Sequence, residues 1–234
     1  GFTNLGNGAR VGYPLGAMFG SRISRDEDGN LLVDGAGNYL ADQVDEDGVL
    51  PFIGDPNPDF VMNYTNTFEY KGLSLGFAIN HTSGGDIYST TTATLMGRGL
   101  TTDTENRLST YILPGVNINT GLANDVQINN SNFYFDNGFA SPADELSVYD
   151  GSVIRLREVN IAYSLPSKLL NKTPFGKVTI KASAFNMWYD AYNTPDGVNF
   201  DPNTTGLGAG NGQGFEFLTG PSSKRYGMSV NLSF

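Results

Sequence analysis

Residues Lys224 to Phe234, KRYGMSVNLSF, place an apolar side chain at every second position. Tyr226, Met228, Val230, Leu232 and Phe234 alternate with Arg225, Gly227, Ser229, Asn231 and Ser233. A period of two is that of an extended strand, whose side chains point to opposite faces in turn. Here one face is apolar throughout and the other is small or polar, so the strand must separate an apolar medium from a polar one. An aromatic as the final residue is the pattern of the closing strand of a bacterial outer-membrane barrel.

Composition agrees with that class. No window of roughly 18 consecutive apolar residues exists, so no transmembrane helix is predicted, and barrel strands need none. The 234 residues contain no cysteine and a single histidine, His81. Disulfides and thiolate chemistry are therefore excluded, and a histidine-based triad or metal site would hang on one residue. A formal net charge of −10 without a Lys/Arg cluster argues against nucleic acid. The chain opens at Gly1 with neither methionine nor signal peptide, and is expected to be a piece whose earlier part lies N-terminal.

Alternation predicts five further strands. One runs from Tyr13 to Ile23. Two form a tight hairpin about Lys71-Gly72, with Phe60, Met62, Tyr64, Phe68 and Tyr70 on one face of the first and Leu73, Leu75, Phe77 and Ile79 on one face of the second. Another carries Val159, Ile161, Tyr163 and Leu165, and the next Val178, Ile180, Ala182 and Ala184. Ile154 and Leu156 stand in the opposite phase to Val159, which a β-bulge near Arg157 or Glu158 would reconcile. Strands that reverse at each connection put the short connections (71 to 72 and 166 to 176) on one side. The long ones (24 to 59, about 87 to 150, and 191 to 223) fall on the other, as in outer-membrane barrels. Aromatics fall at both rims: Tyr70, Tyr163 and Phe175 near the short turns, Trp188, Tyr189 and Tyr192 near the long loops. A soluble sandwich would place polar residues at Val178, Ile180, Val230 and Leu232, and a self-contained small barrel acting as porin or adhesin would pair the Tyr13 strand with the last one.

Several motifs, in order along the chain, resemble the C-terminal end of the SusC/RagA family of TonB-dependent outer-membrane transporters of Bacteroidetes. They are VGYPLGAMFG (11 to 20), IGDPNPDF (53 to 60) leading into YTNTFEYK (64 to 71), GDIYS (85 to 89), VYDGSVIRLREVNIAYSLP (148 to 166), ASAFNMW (182 to 188), DGVNFDP (196 to 202) and PSSKRYGMSVNLSF (221 to 234). The resemblance implies an all-β fold: a transmembrane antiparallel β-barrel of 22 strands closed by a plug, with residues 1 to 234 supplying about the last six strands. The plug and earlier strands would lie upstream. It further implies import of oligosaccharides or peptides in the outer membrane, with no catalysis. The implied partners are a SusD-like surface lipoprotein as lid, TonB through the absent N-terminal part, and the surrounding lipid and lipopolysaccharide. A barrel of this kind used as a scaffold in a larger outer-membrane complex is the alternative. On either reading the backbone edge of Lys224 to Phe234 must pair with a first strand, because an open edge cannot be satisfied in lipid.

Candidate sites are sparse. The acidic run QVDEDGVL (43 to 50) sits where the family often has a calcium-loop-like sequence. With Gly48 at loop position six, Asp45 and Asp47 fall at positions three and five, but Gln43 and Gly54 replace the first and last acids. An exposed acidic turn is the expectation there and at Asp26, Asp28 and Asn30, and no cofactor is expected. His81 is expected at the outer rim. Asp196, Asp201 and Glu216 could be imagined as a glycosidase pair, but turns explain them, and GLGAGNGQG (206 to 214) lacks the Lys-Ser/Thr of a phosphate loop. Arg155 and Arg157 line the lumen or pair locally. The loop aromatics Phe133, Tyr134, Phe135, Phe200, Phe215 and Phe217 are the candidates for stacking on substrate or anchoring a lid; packing the loops on one another is the competing expectation.

Overall fold

The structure is a computed structural model that describes residues 4–45, 48–136, 143–195, 197–198, 200–203 and 212–234. Its largest element is a five-stranded antiparallel sheet in which each strand pairs with the next: β1 (Pro58–Tyr70), β2 (Leu73–Gly84), β3 (Val153–Ser164), β4 (Lys177–Asp190) and β5 (Arg225–Ser233). The hairpin about Lys71-Gly72 closes with both turn residues at positive φ, 48° and 85°, the backbone that matches the twist of the flanking strands. The other short connection carries the one-turn helix α2 (Ser167–Leu170). The long segments, residues 4 to 57, 85 to 152 and 191 to 224, all leave from the opposite end of the sheet, as the alternation of strand direction requires.

Register explains the bulge. The ladder of β3 shifts between Leu156 and Glu158 against both β2 and β4, where the phase change had placed it. The extra residue returns Ile154 and Leu156 to the face of Val159 and Ile161. β4 carries an extra residue of its own at the same height, with Asn186 at φ 53°. Bulges at one level of neighbouring strands bend and twist the sheet there.

The two faces differ as the alternation demands. On one, Phe60, Met62, Tyr64, Phe68, Leu75, Ile161, Ile180, Met228, Val230 and Leu232 are each 40–76% exposed. Val178 departs from the expectation: it is buried at the foot of β4, the strand against which α2 packs. On the other face lie Asn63, Thr65, Thr67, Ser74, Asn80, Asn160, Lys181, Ser183, Ser229 and Asn231, opposite one another in register. Hydrophobic surface of this extent is incompatible with water on that side and matches the lipid face of a barrel wall. Among the described residues no helix is long and apolar enough to cross a membrane, and β1 and β5 each have one unpaired edge.

The predicted first strand is corrected. Ala17–Phe19 is a short strand between Gly6–Gly8 and Phe52–Gly54 in a separate three-stranded sheet, so the wall has five described strands. The reason is burial: Ala17 and Met18 are fully buried and Phe19 nearly so, with no lipid face left to present. The strand near Tyr13 is not paired with the last strand, which removes the support a self-contained small barrel required.

Candidate functional site

The long segments build one body beyond the end of the wall, and the motifs scattered along the sequence meet at its base. Asp86–Ser89, from GDIYS, pairs antiparallel with Val148–Asp150 and parallel with Phe215–Glu216. Met18, Ile53, Tyr88 and Phe215 form its core, with Leu5 and Val148 against them. The Asp55 amide donates to the Asp86 carboxylate at 2.8 Å, and the Asn57 side chain donates to the Leu15 carbonyl at 3.0 Å. Burial raises the Asp86 pKa, and the nearby Asp150, Asp55 and Asp59 raise it further. Burial also pushes the Tyr88 hydroxyl up to about 12.

Among the described residues Glu216 is the most enclosed charge, fully buried. It accepts hydrogen bonds from the Ser89 hydroxyl at 3.0 Å, from the Thr91 amide at 3.0 Å and from the Thr91 hydroxyl, and from both the amide and hydroxyl of Thr219. Ser89 is the N-cap of helix α1 (Thr90–Gly97), so the carboxylate also faces the positive end of that helix. Burial raises its pKa, but the bonds from Thr91 and Thr219 outweigh that and hold it below the usual carboxylate value. Asp201, 4% exposed, is ion-paired with buried Arg155 of β3 and fixes the last loop to the wall. Neither carboxylate is placed as a free acid or base, and Asp196 lies outside the described residues.

The loop aromatics divide. Phe200 and Phe215 are buried, 7% and 1% exposed, so the packing expectation replaces substrate contact for these two. Phe200 joins Ile87 and Val198, with Leu95 against them. Phe217 is partly exposed, stacked on Phe215 with ring centroids 6.0 Å apart. Phe133 packs with Tyr39 and Tyr111 against Val33, Leu113 and Ile128, and Tyr134 meets it edge-on at 4.9 Å. The Phe135 side chain lies outside the described set. The closing-strand residues Tyr226, Met228, Val230 and Leu232 stand on the apolar face of the edge strand β5, and Phe234 follows it with its ring 5.2 Å from that of Phe175, at the short-turn rim. His81 is at the opposite rim, bonded to the Tyr192 hydroxyl at 2.9 Å and edge-on to Phe60.

The acidic runs are hairpin turns. Asp26, Asp34 and Asp45 each accept from an amide four residues on, at 2.8 to 3.1 Å, with Gly29, Gly37 and Gly48 three residues on at positive φ. The same Asp-X-X-Gly geometry three times over is what a short β-connection with one left-handed glycine needs. Asp45 is also 3.5 Å from Arg10, and Asp47 lies outside the described residues.

Between the polar face of the wall and the loop base is a cavity of about 610 Å³. Arg155, Arg157, Arg225, Asn80, Asn186 and Gln213 are among its lining residues. Asn80, Asn186 and Gln213 were not singled out from sequence. Their signal was position on the polar phase of a strand or beside a bulge, which means little before the loops that roof the cavity are known.

An antiparallel wall with an apolar outer face, a polar inner face and loops massed at one end defines a segment of a membrane β-barrel. Curated relatives are TonB-dependent receptors. The chain is 25% identical over 215 residues to TonB-dependent receptor P3 of Formosa agariphila, covering 91% of this chain and 20% of the receptor. It is 24% identical to TonB-dependent receptor P39 of the same organism, covering 96% and 21%. Among solved structures, the RagAB peptide transporter superposes on the whole chain with a TM-score of 0.56 at 16% identity, over 24% of its own length. The RagAB peptide importer in its open-open state gives 0.54 at the same identity and coverage. No protein-family profile matches the chain. The chain spans about a fifth of the length of the curated relatives it matches. The resemblance to TonB-dependent transporters read from the motifs is borne out by these curated relatives, and the RagAB structures share the fold.

Proposed function

We propose that the chain forms the C-terminal part of the wall and outer vestibule of an outer-membrane TonB-dependent importer of oligosaccharides or peptides, working with a SusD-like surface lipoprotein and without catalytic chemistry or a metal. The observation that carries this reading is the continuous apolar face on a sheet with two unpaired edges. It demands lipid outside and further strands on both sides. Relatives that are TonB-dependent receptors supply the class of work. The loop body supplies the rim: of its candidate aromatics Phe200 and Phe215 are packed inside, leaving Phe217, Tyr134 and Phe133 less enclosed. Wall and rim bind and channel a solute while energy arrives elsewhere in the full-length protein.

Deletion of the full-length gene in its native host should abolish growth on one class of oligosaccharide or peptide as sole carbon source. The tagged full-length protein should co-purify with a surface lipoprotein. Unchanged growth on every such source, with the wild-type barrel present in the outer membrane, would instead favour the scaffold reading.

A further inference from the structure

We propose that Arg157 and Arg225 form a carboxylate-binding subsite on the inner face of the wall, deepening the importer reading on which it rests by naming the chemistry of the cargo. Both line the cavity of about 610 Å³ together with the amides of Asn80, Asn186 and Gln213. Arg155 and Arg157, two positions apart on β3, line the same cavity, and Asn186, in the irregular stretch of β4 between Phe185 and Trp188, joins them. Arg225 arrives from β5 through its register with Phe185, whose ring its guanidinium overlies at 5.4 Å.

The charges that line the cavity, and the acid that follows Arg157 on β3, can be accounted for one by one. Arg155 is ion-paired with Asp201. Lys181 lies 3.8 Å from Glu158. Asp86, the acid that lines the cavity, accepts the Asp55 amide. Arg157 and Arg225 remain, with no carboxylate partner among the described residues. In a chain of net charge −10, two neighbouring cations left over in one cavity do not follow from general basicity. A guanidinium presents parallel N–H donors that match the two oxygens of a carboxylate. Side-chain amides, which both donate and accept, suit the hydroxyls or peptide groups next to that acid. The wall behind the arginines is one sheet thick with lipid beyond, which strengthens attraction to an anion relative to open water.

A carboxylate of this kind is carried by a uronic-acid oligosaccharide or by an acidic peptide, and the test separates them. The full-length protein, purified in detergent, is titrated calorimetrically with tri-galacturonate against its methyl ester, and with N-acetylated, C-amidated Ala-Glu-Glu-Ala against the equally blocked Ala-Gln-Gln-Ala. One acidic probe is expected to bind at least about tenfold tighter than its neutral counterpart, with the preference falling as salt rises. R157Q/R225Q should erase the preference while leaving neutral binding in place. R157K/R225K should retain part of it, because charge persists and the fork is lost. Heat-modifiable migration in gels confirms that each variant is a folded barrel; should the double Gln variant not fold, R157Q and R225Q singly are each expected to reduce the preference. The subsite is overturned if neither acid is preferred, or if folded R157Q/R225Q keeps the preference. Energised uptake in cells reads the other proposal: acidic preference without uptake sinks the importer and leaves the subsite, and uptake without acidic preference does the reverse.

Discussion

Glu216 shows how much a single carboxylate does in the loop body. It satisfies donors from the start of α1 and from its own following turn, joining two loops more than a hundred residues apart. Glu216→Gln would turn an acceptor group partly into a donor facing donors, leaving buried groups unsatisfied at a cost of about 2 kcal/mol. Hydrogen exchange of the full-length protein should then show lost protection at Thr91 and Thr92 with the barrel intact. The pH dependence has a definite sign. The folded pKa lies below the ordinary value of 4.5, so the stabilisation is complete above that value and disappears as pH falls through the lower folded pKa. Protection of the Ser89–Thr92 turn should be independent of pH near neutrality and fall away in acid. From sequence, Glu216 was legible only as an acid in a glycine-rich turn, since nothing local announces that its partners lie at Ser89 and Thr91.

The strand is the scale at which the sequence speaks most clearly. Alternation placed β1 to β5, and the phase slip at Arg157 placed the bulge, because a period of two ties every side chain to a face. The Tyr13–Ile23 segment alternates as well, yet it belongs to the loop body. Period two records only that two faces differ; it does not say whether the apolar face meets lipid or protein. The distinction gives a direct test within β5. Val230 is on the apolar face and Ser229 on the polar one. Val230→Arg, a charge on the lipid face, should cost on the order of 1–3 kcal/mol, read as a lower temperature for loss of the compact gel band in the full-length protein. Ser229→Arg, facing water, should change that temperature far less.

For the molecule as a whole, connection lengths set sidedness. Loop positions Leu108 and Leu122 are 87% and 70% exposed at the end opposite the Lys71-Gly72 turn. The chain has no cysteine, so Leu108→Cys and Leu122→Cys should react with a membrane-impermeant maleimide on intact cells. Thr173→Cys, in the short connection, should react only after the outer membrane is permeabilised. Labelling of Thr173→Cys on intact cells would invert the orientation and with it the vestibule.

The sequence by itself determined five strands of the wall, the face that most of their side chains take, the bulge of β3 and the end that carries the loops. Each of these is local, fixed by a two-residue period and by connection length. Only the tertiary structure decided what the loops do. The burial of Phe200 and Phe215, the pairing of Arg155 with Asp201, the capping of α1 by Glu216 and the gathering of Arg157 and Arg225 into one cavity all join residues distant along the chain. The closing strand Lys224 to Phe234 shows the division: its pattern fixes one lipid face and one polar face, while Arg225 acquires its meaning from the strands and loops assembled around it.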